Sequence, residues 1–159
     1  MAIQTLQASR AISVIPDDNV VIPMPYVAAS GTKSALTLPT TLEDLTTPAT
    51  FITDNVKVGD VVYNTTNVAI ATVTSVNSET ELTMSAGLGG VTADDYIIYT
   101  AGNNNGCLIY VGVGGDVAIE TPAGDQVTLV GVPTGSFIPV HLIKIMSTGT
   151  TATTIVALW

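Results

Sequence analysis

The chain has 159 residues, only 11% of them Asp, Glu, Lys or Arg, and a formal net charge of −9. Its cations are Arg10, Lys33, Lys57 and Lys144, and without a basic cluster to neutralise phosphates nucleic-acid binding is not expected. Mean hydropathy is high at +0.50, but the longest apolar run, Val20 to Ala29, has ten residues and contains Pro23 and Pro25, whereas a membrane-spanning helix needs about 20.

What covers the surface is uncharged: the chain holds 25 threonines, and 20 valines accompany them. Both residues are β-branched, which restricts them in a helix and suits a pleated sheet. Composition alone therefore predicts an all-β protein. The excess of apolar residues without a membrane segment is explained by burial against other protein copies, because obligate interfaces resemble a core cut in half. The start, MAIQTLQASR, lacks a basic segment followed by an apolar core, so no secretory signal is expected. The single cysteine, Cys107, implies folding that does not depend on oxidation.

In chain order, Ala11–Ile15 and Val20–Pro23 read as a short apolar pair around the turn-prone Pro16-Asp17-Asp18-Asn19. Residues 31–49 read as a linker carrying one helical turn at Leu42–Leu45. Residues 50–100 then give short strands separated by Asn, Ser, Glu and Gly turns. In the segment NVAIATVTSVN, Val68, Ile70, Thr72, Thr74 and Val76 fall on one face. A set of such strands predicts a small β-barrel of SH3-like or OB-like size. Ala101 to Gly106 (AGNNNG) reads as a hinge. Beyond it, CLIYVGVGG is a strand, and DVAIE and QVTLVGV flank a hairpin turn at Thr121–Asp125. The last two strands are FIPVHLIKIM and TTIVALW, joined by Ser147–Thr150.

The predicted strand Phe137–Met146 is apolar on both faces. Phe137, Pro139, His141, Ile143 and Ile145 line one, and Ile138, Val140, Leu142, Lys144 and Met146 the other. A strand with one wet face alternates apolar and polar, so this one is expected to be covered twice, by a second sheet and by another subunit. The interface candidates are accordingly Phe137, Ile138, Val140, Leu142, Ile143 and Ile145, with Ile155, Val156, Leu158 and Trp159 from the closing strand.

No catalytic, metal or cofactor site is expected. His141 is the only histidine, it lies in an apolar strand, and no GxSxG elbow is present. One His and one Cys do not make a zinc site. Asp17-Asp18 and Asp94-Asp95 fall in turns without the EF-hand spacing and read as solvated turn residues. Gly87–Gly90 and Gly112–Gly115 lack a following helix, so they read as β-turns rather than phosphate cradles.

Four stretches carry a resemblance: LIYVGVGGD at Leu108–Asp116, VTLVGVPTG at Val127–Gly135, PVHLIKI at Pro139–Ile145 and TGTTATTIVALW at Thr148–Trp159. Together with Ala11–Pro23 they resemble small tailed-phage virion proteins, the head spike base and capsid decoration proteins of phages and of phage-like gene transfer agents. The resemblance implies a jelly-roll-like β-sandwich built from residues 1–30 and 101–159, with residues 50–100 as an inserted module. It implies a subunit on the capsid exterior that forms a homo-oligomer, a trimer or pentamer, docks on the major capsid protein and carries a head fibre protein as a further partner. Enzymatic activity, a nucleic-acid partner and a membrane partner are not expected. Two rival readings are a tail or baseplate adaptor and a host-glycan-binding module, the latter with Tyr96 and Tyr99, or Tyr63 expected to be exposed, as stacking residues.

Overall fold

The computed structural model describes residues 8–33, 40–45, 49–89, 93–101 and 104–159. Among these the protein is all-β, with every strand pair antiparallel and no helix. The chain divides into two compact units, Met1–Ile22 with Asn104–Trp159, and Pro23–Asn103.

The first strand, β1 (Ala11–Ser13), belongs to the discontinuous unit. The continuous unit holds β2 (Val27–Thr32), β3 (Thr41–Glu43), β4 (Val61–Asn64), β5 (Ala69–Val76), β6 (Glu81–Met84) and β7 (Asp95–Tyr99). They form one sheet in the order β2-β7-β4-β5-β6-β3. In a flat sheet β7 and β3 would lie four spacings apart, roughly 20 Å. Instead the Tyr96 hydroxyl on β7 donates to Asp44 Oδ2, just beyond β3, at 2.8 Å. A Cβ on Gly31 of β2 would run into that same carboxylate and the Tyr96 hydroxyl, so glycine is needed there for space. The sheet therefore curls into a half-barrel. Its concave side encloses one apolar cluster that includes Leu42, Phe51, Val62, Val73, Leu82 and Ile98.

Two expectations change here. The segment at Leu42–Leu45 forms and follows a strand, not a helical turn, because β3 completes its backbone hydrogen bonds against β6. On β5 the residues packed into the cluster are Ala71 and Val73, not the series running from Val68. Val68 is 67% exposed in the turn before β5. The turn sets the register, and a one-residue offset exchanges the faces; a register shift between Val73 and Ser75 then carries Val76 back against the cluster.

The discontinuous unit continues with β8 (Cys107–Val113), β9 (Gly115–Glu120), β10 (Gln126–Val132), β11 (Ser136–Leu142), β12 (Lys144–Ile145) and β13 (Thr153–Leu158). They form a four-stranded sheet, β1-β13-β8-β11, and a three-stranded sheet, β10-β9-β12. Alternation along β8 buries Cys107, Ile109 and Val111, and β13 buries Ile155 and Ala157. Burial pushes the Cys107 thiol up to about 12, so it stays an unreactive thiol at neutral pH.

The segment expected as one strand, Phe137–Met146, is two. It leaves the four-stranded sheet after Leu142 and enters the three-stranded one at Lys144, with Ile143 N donating to Glu120 O at the corner. The register of β11 also shifts between Ile138 and Leu142, across Pro139, which has no N–H to donate. Val20–Pro23 forms no strand, although Ile22 N reaches Ile143 O at 2.8 Å. The glycines at 112 and 114 are close-approach sites rather than turn residues. A Cβ on Gly112 would meet Thr154 O at 2.7 Å, and one on Gly114 would meet Val132 O at 2.6 Å.

Candidate functional site

The discontinuous unit presents an apolar outer face. In the four-stranded sheet, Val156 of β13 stands opposite Tyr110 of β8, and Tyr110 stands opposite Phe137 of β11. The Tyr110 and Phe137 rings meet at 5.1 Å. The next row pairs Leu158 with Leu108. An open groove of about 320 Å³ runs there between Ala8, Leu108, Phe137, Ile138, Pro139 and Leu158. No Asp, Glu, Lys or Arg occurs between Asp125 and Lys144, so β10 and β11 carry no formal charge.

The predicted interface residues divide by this geometry. Ile138, Leu142, Ile145 and Ile155 are buried and belong to the unit's own interior. Phe137 is 67% exposed and Val140 is also exposed, while Ile143, Val156, Leu158 and Trp159 are half-buried. The indole N–H of Trp159 is buried with no acceptor among the described residues. His141 lies on the exposed side of β11. Sequence reasoning found β10 as a hairpin strand but left it out of the interface candidates; it is an edge strand whose Val127 and Val130 are both exposed, Val130 at 79%. The signal was present, since QVTLVGV has no polar alternation after Thr128.

The described residues of the continuous unit include the buried polar side chains Lys33, Thr41, Asp44, Asp60, Asn64 and Asp94, and side-chain to side-chain bonds build two groups around Asp44 and Asp94. Asp44 accepts from Tyr96, whose phenol is raised above its ordinary value by burial first and by the Asp44 carboxylate second. A small pocket of about 130 Å³ opens beside them, lined in part by Ser30, Thr50 and Asp54. The second group is an ion pair, Lys33 Nζ to Asp94 Oδ2 at 3.0 Å. Asn64 Nδ2 donates to the same oxygen at 2.9 Å, Asn67 Nδ2 donates to it as well, and Gly89 O accepts from Lys33 Nζ at 2.5 Å. The hydrogen bond from Asn64, then the one from Lys33, hold the Asp94 carboxyl below the ordinary Asp range. Asp94 is thus not the solvated turn residue expected from sequence: it pairs with Lys33 because the ends of β2 and β7 lie side by side, with Lys33 N donating to Asp94 O.

The tyrosines put forward for glycan stacking are all buried. Tyr63 and Tyr99 meet edge to face at 5.1 Å, and Tyr96 packs on Phe51. Their ring faces are spent on one another and on the interior. Among the described residues no cluster of three His, Cys, Asp or Glu side chains is placed to hold a metal ion. Comparison with family models, curated proteins and solved structures finds no match to this chain.

Proposed function

We propose that the protein is a virion structural subunit of the head spike base or capsid decoration type. In this reading the discontinuous unit is a jelly-roll-like sandwich, with the curled sheet inserted as a small barrel. The unit forms a homo-oligomer on the capsid exterior, docked on the major capsid protein. The observation that carries the reading is the outer face of the four-stranded sheet. An antiparallel sheet buries one face and leaves the other to water, which calls for polar side chains. Here Leu108, Tyr110, Phe137, Val156 and Leu158 occupy the outer positions. Phe137 is 67% exposed and the other four are half-buried, and an apolar face left partly open to solvent marks an interaction site.

The edges support a shaped partner rather than indiscriminate pairing. Pro139 interrupts β11, and Gly131, at φ 66°, puts a bulge into β10. Both devices discourage edge-to-edge aggregation. The acidic charge elsewhere favours a basic capsid patch and disfavours packaged nucleic acid.

Light scattering on the purified full chain, followed by the Phe137→Asp variant, tests this reading. The parent is expected to run as a multimer and the variant as a smaller species with an unchanged circular dichroism spectrum. A parent that remains monomeric at tens of micromolar removes homo-oligomerisation from the proposal. Locating the protein in micrographs of intact particles tests its place on the capsid.

A further inference from the structure

The buried ion pair of the continuous unit contains the parts of an acyl-transfer site. Lys33 is 2% exposed, Asn64 1% and Asp94 6%. A lysine placed that deep loses its hydration and needs a strong local reason to be there. The three residues come from neighbouring strands: Lys33 just past β2, Asp94 just before β7 and Asn64 at the end of β4, with β7 in the middle. Because Lys33 Nζ and Asn64 Nδ2 both lie within 3.0 Å of Asp94 Oδ2, an amine nucleophile and an amide flank one carboxylate oxygen.

The carbonyl side of that amide is also prepared. Asn64 Oδ1 accepts from the backbone N–H groups of Thr66 and Asn67, both at 3.0 Å. This fixes the amide's orientation, since only the oxygen accepts from two N–H donors. It also places two backbone donors on the atom where negative charge builds when a carboxamide is attacked, the arrangement of an oxyanion hole. Leu88 O accepts from Asn64 Nδ2 at 2.9 Å and helps hold the leaving nitrogen.

We propose that Lys33 and Asn64 join in an intramolecular isopeptide bond, with Asp94 as the proton carrier. Asp94 takes a proton from the Lys33 ammonium, and the freed amine attacks Asn64 Cγ. The new C–N bond forms as the carbonyl becomes an oxyanion held by the Thr66 and Asn67 N–H groups. Asp94 returns its proton to Nδ2 and the Cγ–Nδ2 bond breaks. Ammonia leaves, and takes up the surplus proton of the attacking nitrogen to depart as ammonium. The product is a secondary amide, Asp94 is again a carboxylate, and no oxidant or metal enters the balance. Hydrogen bonds from Asn64 and Lys33 hold Asp94 as a carboxylate at the start, so it enters the reaction as the proton acceptor. The reaction runs once per molecule. Its result is a covalent staple from the edge strand β2 to β4 across β7, closing the chain between Lys33 and Asn64 against unfolding.

The test is the intact mass of the full chain, with a tryptic map. Loss of ammonia lowers the mass by about 17 Da relative to the sequence, as acyl transfer to an amine requires. Trypsin should then fail to cut after Lys33, so that residues 11–57 are recovered covalently attached to residues 58–144. Asp94→Ala and Lys33→Arg should each restore the full mass. The parent's tryptic map decides the matter even where a variant does not fold. An unmodified mass with ordinary cleavage after Lys33 overturns the proposal. So does loss of ammonia with Lys33 still cleavable, or loss of water with Lys33 attached to Asp94. Retention of the linkage in Asp94→Ala overturns the role given to Asp94.

Discussion

Val68 sits at φ 53° with its side chain 67% exposed. A β-branched residue in the left-handed region costs roughly 1–2 kcal/mol, and no burial offsets it here. Val68→Asn should therefore raise the stability of the continuous unit by about 1 kcal/mol, since asparagine tolerates that region. Urea unfolding of the two proteins measures it, and a midpoint that stays put or falls contradicts the strain argument. Thr154, at φ 56° in β13, is a different case. It lies against Gly112, where a Cβ would meet Thr154 O at 2.7 Å and the Thr154 methyl at 2.9 Å. Gly112→Ala should cost about 2 kcal/mol through overpacking, read from the same titration. At this scale the sequence said of Cys107 only that folding does not depend on its oxidation, not that it is buried, and it missed Asp94. An Asp-Asp pair beside a turn looks solvated until two other strands deliver Lys33 and Asn64 to it, and nothing local encodes that meeting.

Hairpins explain which elements were legible. The Thr121–Asp125 turn closes with Thr121 N donating to Asp125 O at 3.0 Å, so β9 and β10 follow from turn chemistry alone. Strands β2 and β3 were not legible, because each is an edge strand completed by pairing with distant β7 and β6. The break between β11 and β12 was hidden by an apolar run that serves two sheets in succession. The role of the closing strand changes as a consequence. Since β13 lies between β1 and β8, deleting Ile155–Trp159 should unfold the discontinuous unit, not merely detach an interface; loss of its cooperative melt is the expected readout.

The opening turn is tied to the chain just before β13 by a titratable bond. Asp18 accepts from Thr148 N at 2.9 Å and from Thr148 Oγ1 at 2.7 Å. The backbone hydrogen bond, then the hydroxyl, hold the Asp18 carboxyl below its ordinary value. A depressed carboxylate contributes stability above its unfolded-state pKa and loses it as pH falls through the folded one. Hydrogen exchange at the Thr148 amide should thus remain slow at neutral pH, with protection lost only below the ordinary Asp range near 4. Protection that disappears already at pH 6 is incompatible with this bond.

At the scale of the whole molecule, the chain interrupts one unit to build another. The interruption is bridged locally: Asn104 Nδ2 donates to Ile22 O at 2.9 Å, and Gly106 N donates back to Asn104 Oδ1 at 3.0 Å. The two ends where the continuous unit enters and leaves are therefore adjacent, as insertion of one domain into another requires. Part of this was legible, because the composition changes near residue 50 and the AGNNNG run stands near the exit. The entry was not, since Val20–Ala29 is a single apolar run that crosses the boundary at Pro23 without any polar signal. The apolar cluster of the curled sheet draws only on residues between Pro23 and Asn103, so that fragment has its own core. Replacing residues 23–103 by a short Gly-Ser linker should leave the remaining chain folded, because the linker need span only the gap closed by Asn104. The excised fragment should fold as well, without residues from the other unit. Each piece is expected to give a β-type circular dichroism spectrum and a single cooperative thermal transition. If either piece melts without cooperativity while the full chain does not, the two units form one folding unit and the insertion is one of contacts only.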